Sequence, residues 1–152
     1  MSSLPKEVRL DDVMPQIRQL LEMGQSVRLY PKGVSMLPML RQGIDSVLLS
    51  PVNGKLKKYD LPFYQRRDGH YVLHRIVKVG ETYTCIGDNQ FHYEKGIRQE
   101  QLIAVVTGFY RDEKYWPVTG FRYKCYCRFW HWTRFPRHVY RWLKSKFKKA
   151  GG

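Results

Sequence analysis

The chain has 152 residues, 43% hydrophobic and 14% aromatic, and a formal net charge of +14. That length suits one domain with a sizeable core, and the apolar fraction excludes intrinsic disorder. No apolar run approaches the roughly 20 residues that a membrane-spanning helix needs. The opening stretch MSSLPKEVRLDDVM has no apolar segment to serve as a secretory signal. Cys85, Cys125 and Cys127 make neither an even framework nor a Cys-x-x-Cys pair. A cytoplasmic chain without structural disulfides, cofactor or metal is the expectation.

The charge is unevenly spread. From Phe121 onward there are ten Lys or Arg and no Asp or Glu, which leaves +4 for residues 1–120. Two units are therefore expected, a near-neutral body over 1–120 and a basic tail over 121–152.

In chain order, residues 10–24 predict a short amphipathic helix. Leu10, Val13, Met14, Ile17, Leu20 and Leu21 recur at helical spacing, Asp11 or Asp12 is available as a cap, and Gly24 ends the run. Short strands follow at 26–30, 46–49, 61–65, 71–79, 83–86 and 102–110, separated by turn pairs such as Asn53-Gly54 and Asp68-Gly69. Arg66-Arg67-Asp68-Gly69 predicts a hairpin. Strands at this spacing point to a mainly β fold, a compact antiparallel barrel or sandwich. In the tail, Tyr126, Phe129, Trp130, Tyr140, Leu143 and Phe147 fall near one helical face, and Pro136 predicts a kinked helix or two short ones.

Three short motifs carry chemistry. The first is Gly33-Val34-Ser35-Met36-Leu37-Pro38. A serine nucleophile needs its hydroxyl on a tight turn with backbone N–H groups free to hold an oxyanion, and Gly33 permits such a turn. Pro38 favours a helical turn through Met39 and Leu40. The second is Tyr71-Val72-Leu73-His74-Arg75-Ile76-Val77, in which the imidazole of His74 can take a serine proton near neutral pH. The third, Gly87-Asp88-Asn89, supplies an acid able to orient His74, although Gly-Asp-Asn is also ordinary turn chemistry.

In this order, with His74 about 40 residues after Ser35, the motifs resemble the signal peptidase I and LexA-like serine peptidases. Relatives of the bacterial signal-peptidase and LexA type carry lysine where His74 falls. The endoplasmic-reticulum and archaeal type carries histidine, so this chain resembles that group. The likeness covers about residues 27–110. It includes Lys58-Tyr59-Asp60, which stands where the family usually opens a strand with Gly-Asp. Gly33 replaces the serine that many signal peptidases place two residues before the nucleophile, so the backbone of Ser35 and Met36 must hold the oxyanion. The histidine-type pattern has a second acid about six residues after Gly-Asp, and Glu94 fits it. Asp88 is the preferred orienting acid and Glu94 the alternative.

The resemblance implies a serine endopeptidase in which Ser35 attacks, His74 moves the proton and Asp88 orients the ring, acting on a peptide or leader peptide bound by strand addition. The alternative is a peptide-binding module that kept the fold without catalysis. A self-cleaving repressor fits poorly, because a single helix precedes the motifs and the only alanines are Ala104 and Ala150. The tail, residues 121–149, suits peripheral binding to an anionic membrane at its inner face. Packing of the aromatics on the body, or binding of single-stranded nucleic acid, are the other readings of the same composition.

Overall fold

A computed structural model describes residues 9–151. Residues 1–8 of the expected peptidase unit and Gly152 of the tail lie outside the described residues. Helix α1 (Leu10–Glu22) buries Met14, Ile17 and Leu21, the stripe expected from their spacing. Its cap position is Arg9, without a side-chain cap bond. Asp11 and Asp12 lie in the first turn instead, where carboxylates face the positive end of the helix dipole.

Nine strands follow: β1 (Val27–Leu29), β2 (Ser46–Ser50), β3 (Pro62–Gln65), β4 (Tyr71–Leu73), β5 (Arg75–Val79), β6 (Tyr83–Ile86), β7 (Glu94–Ile97), β8 (Leu102–Arg111) and β9 (Lys114–Pro117). One sheet has the order β1-β2-β8-β3-β4, with β9 also paired to β8, and the other has the order β5-β6-β7. Every pairing is antiparallel. The expected hairpin joins β3 to β4, closed by Arg66 N–H to the carbonyl of His70 at 2.8 Å.

Strand accounts for about 29% and helix for 31%, and the sheets do not close into a barrel. The fold is therefore mixed, with antiparallel sheets and three helices, rather than the mainly β barrel or sandwich expected. The single strand expected at 71–79 is broken at His74. Residues 71–73 pair with β3, whereas Arg75 begins the second sheet by pairing with β6. This change of sheet leaves β4 as a free edge.

Alternation along β3 and β4 builds two cores. Phe63 and Leu73 join Met14, Ile17, Val47, Leu49 and Val106 beneath α1. Their neighbours Tyr64 and Val72 join Ile76, Tyr83, Cys85 and Ile97 against the second sheet.

The tail forms α2 (Phe121–Trp132) and α3 (Arg134–Ala150). The break at Thr133 precedes Pro136 and follows from it. Proline has no N–H to offer the carbonyl of Trp132 four residues earlier. Helix α2 is part of the body. Cys127 is fully buried, and Tyr123 and Tyr126 pack on the α1-side core. Arg75, 1% exposed, holds it there. Its Nε and Nη2 donate to Asp88 Oδ1 and Oδ2, both at 2.8 Å, and its Nη1 donates to the Tyr123 hydroxyl at 2.7 Å. The Tyr126 hydroxyl donates to Asp88 Oδ2 at 2.9 Å.

Removing one member of a buried ion pair strands the other charge in a low dielectric. Asp88→Asn should lower the unfolding free energy by about 3–5 kcal/mol. Tyr126→Phe, which removes one hydrogen bond to that carboxylate, should cost about 1.5–3 kcal/mol. Urea unfolding of the two variants beside the parent chain measures both.

Candidate active site

The segment carrying Ser35 joins β1 to β2. Gly33 has φ +87°, the left-handed region where a side chain would strain the backbone, and this turns the chain sharply ahead of Ser35. Leu37 N–H donates to the carbonyl of Val34 at 3.2 Å and Leu40 N–H to that of Met36 at 3.0 Å. The expected helical turn is thus a pair of hydrogen-bonded turns, with Met36, Met39 and Leu40 buried beneath it. Among the described residues, the N–H groups of Ser35 and Met36 donate no hydrogen bond, and Ser35 Oγ makes none.

The Gly-Asp-Asn loop braces this turn from outside. Asn89 N–H donates to the carbonyl of Ser35 at 2.8 Å, and Asn89 Nδ2 donates to that of Val34 at 3.1 Å. A Cβ on Gly87 would lie 2.6 Å from the carbonyl oxygen of Ser35, so only glycine lets the two loops approach this closely. No local signal in Gly87-Asp88-Asn89 announces the bracing role of Asn89, because its partners are backbone carbonyls more than 50 residues away.

Ser35 and His74 line one cleft of about 220 Å³, together with Gly33, Met36, Arg66 and Leu73. His74 is buried at the crossing between the two sheets. Its Nδ1 lies 3.1 Å from Glu94 Oε1. A carboxylate can only accept, so Nδ1 carries the proton and Nε2 is left as the acceptor. Among the described residues Nε2 has no hydrogen-bond partner.

Glu94 is fixed in turn. The Tyr64 hydroxyl donates to its Oε2 at 2.9 Å, and Arg66 donates to both carboxylate oxygens. Tyr64 lies on an expected strand and Arg66 on the expected hairpin, and no local pattern marks either as a site residue. Asp88, the acid preferred from sequence, does not orient His74. Both of its oxygens are occupied by Arg75 and Tyr126. Gly87-Asp88-Asn89 supplies an anchor and a brace, and the acid on the ring is Glu94.

The electrostatics follow from burial. Desolvation pushes the imidazole of His74 down to about 4, against the upward pull of Glu94. Burial raises Glu94, but the hydrogen bonds from Arg66 and Tyr64, with the charge of Arg66, hold it below the usual carboxylate range. At neutral pH the site therefore holds a neutral imidazole against an ionised carboxylate. Among the described residues no cluster of His, Cys, Asp or Glu is arranged to hold a metal ion.

Two outcomes follow for titration. The His74 ring should titrate near pH 4 by NMR rather than near 6.5, and Glu94→Gln should lower it further by removing the carboxylate that favours the imidazolium. Because the folded value lies below the unfolded one, His74 supports the fold fully above about pH 6.5, and its contribution is lost as pH falls toward 4. His74→Gln should flatten the stability profile across that window, measured by thermal unfolding at successive pH values.

No protein-family model, curated protein or solved structure matches the chain.

Proposed function

We propose that the protein is a serine endopeptidase in which Ser35 is the nucleophile, His74 the general base and Glu94 the acid that orients it. The observation carrying this reading is the cleft shared by Ser35 and a neutral His74 whose Nδ1 is tied to Glu94. The chemistry needs these parts in these roles. Ser35 Oγ attacks the scissile carbonyl and its proton passes to His74 Nε2. The tetrahedral oxyanion is held by the N–H groups of Ser35 and Met36, which no described group occupies. His74 then gives the proton to the leaving amine, and a water repeats the sequence on the acyl-enzyme. Catalytic hydrogen bonds often tighten only when substrate is bound, so a serine unpaired at rest is compatible with this mechanism.

The substrate class is an extended peptide or leader peptide. The free edge of β4 ends at Leu73, next to His74, and both Leu73 and Tyr71 line the cleft. An extended chain adding to that edge would present its backbone to Ser35. No helix among the described residues is long and apolar enough to cross a membrane. The reading of a non-catalytic peptide-binding module rests on the same edge and on the absence of a Ser35–His74 hydrogen bond at rest. A serine-reactive phosphonate separates the two, since a binding module would leave Ser35 unlabelled.

Ser35→Ala and His74→Ala should each abolish peptide cleavage, and the double variant should be no worse, because the two act as one device. Glu94→Gln should lower kcat by about 10²–10⁴-fold, whereas Glu94→Asp should recover part of the loss. The acid limb of kcat/KM should fall near the depressed value of His74, about 4, leaving activity largely intact at pH 5.5. Steady-state kinetics on a peptide found by library cleavage tests all of these. Full activity in either alanine variant would overturn the assignment.

A further inference from the structure

The two tail helices part company in what they bury. Helix α2 is closed on the body, but along α3 every residue from His138 to Ala150 is exposed. Its first two turns lean on the Gly-Asp-Asn loop. Arg134 Nη1 donates to the carbonyl of Gln90 at 3.3 Å, His138 packs on Phe91 with ring centres 4.6 Å apart, and Arg141 donates to Asn89. These residues recur at helical spacing and define the face turned toward the body.

The adjacent face carries Phe135, Val139, Trp142, Leu143 and Phe147, continued from α2 by Trp132. Val139 and Leu143 at its centre are 37% and 42% exposed, and its ends are open. Trp132 is 87% exposed, Phe147 76% and Phe135 75%. The helix carries seven Lys or Arg and no acid. A single amphipathic helix projecting into water is marginally stable, and its stability comes from whatever buries the apolar stripe.

The root of the stripe holds a second, independent feature. A cavity of about 270 Å³ is lined by His131, Trp132, Arg134, Phe135 and His138, among others. Arg134 is buried, and no carboxylate pairs with it among the described residues. The two buried polar atoms without a hydrogen-bond partner among the described residues, His131 Nδ1 and Arg134 Nε, both belong to residues lining this cavity. A buried guanidinium without a counter-charge, beside two imidazoles, is matched by an anion.

We propose that α3 docks on an anionic phospholipid bilayer, its apolar stripe in the interface and a headgroup phosphate in the cavity at its root. The charge excludes a second copy of the chain as occupant, since two such helices would oppose seven cations to seven. The aliphatic Val139 and Leu143 within the stripe gain nothing from stacking on bases but are buried at an acyl boundary. Aromatic rings at both ends of the stripe suit the headgroup level, and the lysines can reach lipid phosphates along its flanks.

The test is co-sedimentation of the full chain with vesicles of phosphatidylcholine alone and of phosphatidylcholine with phosphatidylglycerol, at low and high salt, with tryptophan emission recorded. Binding should require the anionic lipid, be accompanied by a blue shift, and survive in part at high salt. Lys144→Gln with Lys148→Gln should weaken it by about 25-fold, roughly fivefold for each charge. Trp142→Ala with Phe147→Ala, both exposed in the fold, should weaken it more than about tenfold. Binding that ignores lipid charge, a stripe variant that binds like the parent, or an oligothymidylate that binds more tightly than the vesicles would overturn the docking surface. Arg134→Met and His138→Ala should each reduce the preference for phosphatidylglycerol. His138 is exposed, so its variant reports even where the arginine variant fails to fold. Unchanged preference in His138→Ala and in any folded Arg134→Met would overturn the headgroup seat.

Discussion

The buried pair of Arg75 with Asp88 is the constraint on which the rest of the site depends. Taking both charges out of water is costly, and the cost is met only because every donor and acceptor is answered. Burial alone would lower the Arg75 guanidinium, and the carboxylate of Asp88 instead holds it well above its ordinary value. The remaining partners come from distant parts of the chain. They are the Tyr59 carbonyl, the Tyr123 and Tyr126 hydroxyls on α2, the Cys127 thiol and the Met39 sulfur under the Ser35 turn. One guanidinium thus fixes α2 to the body, the loop of Asp88 to the second sheet, and the underside of the Ser35 turn to both.

That arrangement assigns the acids. Asp88 is engaged by Arg75 and Tyr126 and makes no hydrogen bond to His74, whose Nδ1 lies against Glu94 of β7. Successive side chains of an extended segment point to opposite sides. At the crossing between the sheets this sends His74 into the cleft and Arg75 into the anchor. Two adjacent residues therefore serve different places, His74 the cleft and Arg75 the buried anchor. Asn89, next to Asp88, repeats the division in the loop, since the aspartate anchors while the asparagine braces the backbone of Val34 and Ser35.

The tail extends this logic outward. Its aromatic and basic residues look alike in composition, yet they do different work on the two helices. On α2, Tyr123, Tyr126 and Trp130 are structural, and the indole of Trp130 donates to the carbonyl of Asp88 at 2.6 Å. On α3 the corresponding residues are exposed, and the helix meets the body chiefly through the loop that also braces Ser35. The outer helix is therefore one loop away from the cleft.

The local elements were legible from the sequence because each depends on neighbours in the chain. The stripe of Met14, Ile17 and Leu21 determined α1, alternation determined β6 over Tyr83–Ile86, and the positive φ at Gly33 followed from the need for a turn at Ser35. That Ser35 sits on a turn and His74 beside a strand was legible in the same way, and the structure brings both to one cleft. The mixed architecture, the break of one expected strand at His74, and the partner of that histidine were not legible. Strand β7, which carries Glu94, reads Glu-Lys-Gly-Ile and has too little apolar alternation to announce itself. It forms because Tyr83 and Cys85 of β6 supply its pairing partners. Only the tertiary structure could choose between Asp88 and Glu94, since that choice depends on which carboxylate the buried Arg75 claims first and which lies across the sheet from an imidazole. Pairings between residues far apart in the chain decide both, and no local pattern encodes them.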